Sequence, residues 1–201
     1  MREYSDILTR KSTPNSETSK IMVVIDMKKY ANLIFLFFGL VLFVGCSGSK
    51  MSVVQPNNIS SRTVNRIAIA PDSGVLGDAI GLELFNRGLT VVDTNEAVAI
   101  VGRVGLQTFE VTTKEGFTIL RENGIDAVLV VKSVAATDGT PESASVRLTD
   151  TENGNIIVGI TWQNGYGGMR GSVADRTMRK NLSQAANEIA KELVRRLGST
   201  H

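Results

Sequence analysis

The chain has 201 residues, 22 Lys/Arg against 20 Asp/Glu, one cysteine and one histidine. The charge excess sits in residues 1–45, which hold 6 basic and 4 acidic residues, so residues 46–201 carry 16 of each. A neutral body of about 155 residues is one ordinary domain, and the basic pI is no nucleic-acid footprint. The sole histidine, His201, is the last residue, which removes His-based triads and His metal sites; no catalytic residue, metal site or cofactor is expected.

Residues 1–26 are mostly polar at their start, with Thr13-Pro14-Asn15-Ser16 reading as loop. A signal peptide begins near its lysines, so translation is expected to start at Met27 or Met22, with 1–26 a mis-assigned leader. Lys28 and Lys29 precede an apolar run, Ala31 to Gly45, of about 15 residues. That is short of the roughly 20 needed to span a bilayer as a helix, and it has the layout of a secretory signal peptide over 27–45. The run ends Phe43-Val44-Gly45-Cys46. This resembles the bacterial lipobox, with Phe43 where Leu is usual. The resemblance implies that the Cys46 sulfur receives a diacylglyceryl group, that the chain is cut before Cys46, and that the new amino terminus is acylated with a palmitate-type chain. Several acyl chains anchor stably where one does not, each buried methylene contributing about 0.8 kcal/mol. A single cysteine in an exported chain has no internal disulfide to make, which fits lipid attachment. Ser47 after the cysteine points to an outer-membrane lipoprotein facing the periplasm.

Residues 46–62 are Gly/Ser/Asn-rich and read as a flexible tether, leaving 63–198 as the domain. Val64 to Ala70 reads as a strand stopped by Pro71. Asp72 or Ser73 is expected to cap a helix whose apolar side is Leu76, Ile80 and Leu84, closed by Gly88. A short strand, Leu89 to Val92, leads to a helix from Glu96 to about Leu106. Thr113 caps another, Lys114 to Asn123. Ala127 to Ala135 is nearly continuous in apolar character and suits a strand covered on both faces. Ser143 to Asp150 alternates, giving one wetter face, and Glu152-Asn153-Gly154-Asn155 is a hairpin turn into Ile156 to Gln163. Trp162 is expected in the core or on the sheet surface. Residues 174–197 carry apolar residues at helical spacing throughout and read as one long amphipathic helix. The fold class is α/β: a single mixed sheet with packed helices, a hairpin and a long C-terminal amphipathic helix.

The run Arg66-Ile67-Ala68-Ile69-Ala70-Pro71 is followed in order by Gly124-Ile125-Asp126-Ala127 and Leu148-Thr149-Asp150-Thr151-Glu152-Asn153-Gly154. Over 64–197 this order is similar to the periplasmic domain family shared by CsgG, LpoB and the amino-terminal domain of TolB. Asn153 stands where that family commonly has Thr. The resemblance implies non-catalytic work: docking on, or scaffolding, another envelope or secretion protein. Long alternating insertions of the kind that build the CsgG pore are not evident, so a secretion-pore subunit is the lesser alternative.

The glycine-rich segment 164–171 is the most unusual stretch. It lacks the Lys-Ser/Thr of a P-loop and the dinucleotide spacing. Partner contact is expected there, with Tyr166 and Met169 as anchors and Arg170 for charge. The alternative is a small-ligand binder or enzyme using the loop 165–171. A deep pocket with converging polar groups beside the loop favours that alternative; a shallow exposed apolar patch favours docking. Asp126 and Asp150 read as turn residues at strand ends.

Overall fold

The structure, a computed structural model, describes residues 48–56, 63–165, 169 and 171–198. The expected leader (1–26) and signal peptide (27–45), Cys46, Tyr166 and Arg170 lie outside them.

Six strands form one mixed sheet in the order β1-β6-β5-β4-β2-β3. They are β1 (Ser49–Val54), β2 (Arg66–Ile69), β3 (Thr90–Val92), β4 (Ala127–Ala135), β5 (Pro141–Asp150) and β6 (Ile156–Asn164). β2 runs parallel to both β3 and β4; the β4–β5, β5–β6 and β6–β1 pairs are antiparallel. Five α-helices complete the described chain: α1 (Gly74–Asn86), α2 (Thr94–Gly102), α3 (Lys114–Glu122), α4 (Val173–Met178) and α5 (Leu182–Gly198). Two 3-10 turns, Pro71–Ser73 and Thr108–Thr112, link them. The α/β class with a mixed sheet is as the sequence predicts.

One face of the sheet is covered from edge to edge. Leu76, Ile80 and Leu84 of α1 and Ala186, Ile189 and Leu193 of α5 pack there against Ile67, Leu129, Val146, Ile160 and Trp162. Trp162 is fully buried in this layer. Gly81 of α1 sits so close to β2 that a Cβ would meet the end of Ile69, so this glycine, a poor helix former, sets the helix–sheet distance. The other face is covered over β3, β2 and the first half of β4 only. There Ala97, Ile100 and Val101 of α2 and Leu120 of α3 pack on Ala68, Val92 and Val128.

The sheet departs from the sequence reading in two places, β4 and the expected tether, and agrees with it in the wetter face of β5. β4 is buried on both sides only while β2 lies beside it; from Lys132 to Ala135 it is exposed. On the uncovered half Ser145, Arg147, Thr161 and Gln163 face water while Ala144, Val146, Ile160 and Trp162 face α5, the alternation of a half-buried sheet. The expected tether contains β1, whose Ser49 to Val54 pair with Asn164 to Gly159. Its alternate residues Met51 and Val53 pack against the covered layer. Strand character was hidden because the segment is short and only half apolar, and its burial comes from α5 and β6, far off in sequence.

Helix ends differ too. Ser73 precedes α1, but its hydroxyl does not cap it: it accepts from Val131 N (3.2 Å) and faces the Leu129 carbonyl (3.4 Å). Asp72 is not the cap either; its carboxylate pairs with Lys132 Nζ at 3.1 Å. α2 starts two residues early because Asp93 caps it through Glu96 N at 2.8 Å. Thr113 caps α3 as expected. Asp150 orders the hairpin turn through Glu152 N at 2.7 Å, and Asp126 accepts from Asn65 N and Arg66 N, both at 2.9 Å.

The ordering of β1 is testable. Deleting residues 47–56 removes the β1 ladder and uncovers β6, and is expected to cost roughly 2–4 kcal/mol in urea unfolding, from two half-buried apolar side chains and the lost seam. Removal of a slack tether would cost nothing.

Candidate functional site

The long helix expected over 174–197 is two helices, and a single side chain divides them. Asn164, at the end of β6, is 4% exposed. Its Nδ2 donates to the Pro141 carbonyl (2.7 Å) and the Lys180 carbonyl (2.9 Å). Its Oδ1 accepts from Lys180 N (2.9 Å) and Gly165 N (3.0 Å). The carboxamide uses both donors and both lone pairs. Lys180's two backbone groups are thereby spent outside any helical ladder, and Arg179 takes an extended conformation (ψ 132°). α5 then restarts with a reciprocal box: Gln184 N donates to Asn181 Oδ1 at 2.9 Å, and Asn181 N to Gln184 Oε1 at 3.0 Å. Asn181-Leu182-Ser183-Gln184 carries the N-cap signature in plain sequence, and it was the signal for this break.

The same pole of the domain holds the start of β1. Gly48 packs on the Met178 carbonyl, and a Cβ on Gly165 would overlap the Gly48 carbonyl. Ser49 pairs with Asn164 in register. Beneath them Glu188 of α5 gathers Ser49 Oγ (2.8 Å), Trp162 Nε1 (3.0 Å) and Lys180 Nζ. Burial pushes the Glu188 carboxyl up, but the hydrogen bonds from Lys180, Trp162 and Ser49 together outweigh it and hold the group below its ordinary 4.5.

Of the residues expected to make partner contact, Met169 is 85% exposed. Beside Gly171 there is an open depression of about 490 Å³ between the β4–β5 turn and α4. Its charges answer one another. Arg179 lies 3.9 Å from Asp175 and 3.6 Å from Glu142, and the Thr140 amide and hydroxyl hold the Asp138 carboxyl below its usual range. Asp175 is buried, capping through Gly171 N at 2.9 Å, while its Oδ1 has no hydrogen-bond partner.

A second cleft, about 370 Å³, opens at the carboxyl end of β2, where the covered and bare halves of the second face meet. Phe109 and Phe117 wall it, and Lys132, Asp72 and Arg147 rim it. Among the described residues no group of three or more His, Cys, Asp or Glu side chains is placed to hold a metal.

The feature the sequence reading missed is on α1. Its inner side fills the core, yet its outer side carries Val75 (70% exposed), Leu82 (68%) and Phe85 (65%). These positions, seven and three apart, share one stripe opposite the buried one. A surface helix normally turns polar residues outward.

No family model and no curated protein matches the chain. Solved structures that align with it include the PelC dodecamer from Paraburkholderia phytofirmans, 14% identical over 74% of this chain and 96% of that one, TM-score 0.42. Lipoprotein GNA1162 from Neisseria meningitidis is 19% identical over 64% and 98%, TM-score 0.41. The LpoB C-terminal domain from Salmonella enterica is 18% identical over 51% and 84%, TM-score 0.40.

Two outcomes follow from the pole. Asn164→Ala strands the Lys180 and Pro141 backbone groups and is expected to destabilise the fold by about 2–4 kcal/mol in denaturant titration. Because the Glu188 pKa is depressed on folding, its contribution is full above the ordinary value of 4.5 and is lost as pH falls through the lower folded value. Thermal melts between pH 3 and 7 are therefore expected to show a shallower acid limb for Glu188→Gln than for the parent chain, from a lower Tm at neutral pH.

Proposed function

We propose that this chain is a lipid-anchored, non-catalytic protein of the bacterial cell envelope, exported by the 27–45 signal peptide, acylated at Cys46, held at the outer membrane facing the periplasm, and docking on another envelope protein. The lipobox-like Phe43-Val44-Gly45-Cys46 and the uniqueness of that cysteine support the anchor. The observation that supports docking most directly is the outward stripe of Val75, Leu82 and Phe85. Single exposed apolar residues are ordinary on protein surfaces. Three on one side of one helix, with the core on its other side, form a patch of the kind protein partners cover. We assign docking to this stripe rather than to Tyr166, Met169 and Arg170.

The anchor restricts the partner to a protein that meets the domain at the membrane. Labelled palmitate is expected to enter the parent chain and not Cys46→Ser, with the variant lost from the membrane fraction. A photocrosslinking residue placed at Leu82 in the native host is expected to give one discrete adduct, weakened at least about tenfold by Phe85→Asp, as loss of a central apolar anchor predicts. Equal adducts with and without that change would remove the stripe from the reading.

A further inference from the structure

Only Ser47 and Gly48 separate Cys46 from Ser49, and Ser49 is fixed by its pairing with Asn164 and its bond to Glu188. Three fully extended residues span about 11 Å at most. On the anchor reading above, the acyl chains therefore enter the bilayer beside the Asn164 pole, with no slack to let the domain drift away.

That pole carries the two most exposed large apolar side chains among the described residues. Met169 is 85% exposed and Val173, at the start of α4, is 83% exposed. Arg176 follows Val173 by three residues and is exposed, as is Lys50 next to Ser49. Neither cation has a carboxylate partner among the described residues, whereas Arg179 and Lys180, behind them, are paired inward. Asp138 in the β4–β5 turn is the opposing exposed charge. Long apolar side chains with cations beside them, at the point where a lipid leaves the chain, match a bilayer boundary: aliphatic groups enter the acyl–headgroup zone and the cations meet phosphates. A protein partner would need to fit between this pole and the membrane within the 11 Å reach.

We propose that Met169, Val173, Arg176 and Lys50 form a second contact with the same bilayer that holds the lipid of Cys46, so that the domain stands on the membrane in a fixed orientation. The contact can be weak, because the anchor makes it intramolecular and supplies a high effective concentration. In this orientation β1 runs away from the bilayer, and β4 runs toward it.

The test uses the mature lipidated protein in vesicles of phosphatidylethanolamine and phosphatidylglycerol. With the Cys46 sulfur held in a diacylglyceryl thioether, a new cysteine is the only thiol to label. Val173→Cys and, as reference, Val75→Cys each take an environment-sensitive fluorophore, read by iodide quenching after vesicle flotation. The expected result is flotation of both, with quenching at 173 reduced by roughly threefold or more relative to 75, as for a side chain lodged in the interface. Flotation with equal quenching at both positions overturns the contact and leaves the anchor standing. Failure to float, with no palmitate on Cys46, overturns the anchor and the contact with it.

Discussion

Much of the architecture turns on what one carboxamide can satisfy. Asn164 ends β6, and its four hydrogen bonds reach β5, the chain after β6 and both backbone groups of Lys180. Aspartate in its place would bring no donors, and an aliphatic residue would leave buried backbone groups without partners. The geometry obliges the chain to leave helix at Arg179 and re-enter it at Leu182. α4 is thereby turned over the β4–β5 turn, and α5 is laid along the covered face. The start of β1 then has a seat, because Gly48 and Ser49 fit only against an end of β6 held this way.

The seam below that node is polar inside an apolar layer. Glu188 takes three donors, one each from β1, β6 and the link before α5. Trp162 can be fully buried because its indole N–H finds this carboxylate. β1 in turn shields β6, which would otherwise present a free strand edge. The sheet thus acquires its sixth strand from a segment whose composition resembles a linker.

The uneven covering of the sheet sets what the surface offers. α1 and α5 make one face dry, and α1 is so apolar that one side fills the core while the other is left outside. α2 and α3 cover only half of the opposite face, so the rest of it is mostly serine, threonine, glutamine and cation, with Val54 and Val134 exposed among them. With a lipid joined three residues before β1, the proposed arrangement has a membrane end, a lateral apolar stripe and a wet sheet face. Each suits a different neighbour, and the stripe is the surface proposed for a protein partner.

Local chemistry sufficed for much of this. Proline and glycine punctuation, apolar runs and the Asn153-Gly154 turn placed β2 through β6, α1 and α3 to within a few residues, because those signals act over a turn or a strand. The lipobox-like Phe43-Val44-Gly45-Cys46 is likewise a short contiguous pattern, and the lipid proposed at Cys46 was read from it without reference to the fold. What the linear order withheld depends on partners far away in the chain. β1 is a strand because β6 and α5 complete it, more than a hundred residues later. The break before α5 exists because a side chain from β6 captures Lys180, although the Asn181–Gln184 box announced the restart. The inward side of α1, Leu76, Ile80 and Leu84, was read from its spacing, but that Val75, Leu82 and Phe85 stay outside depends on no other described element covering them. Sequence settled where most elements form; tertiary packing supplied β1 and the break before α5, and decided which faces are consumed by the core and which remain to meet something else, since burial is a property of the whole chain.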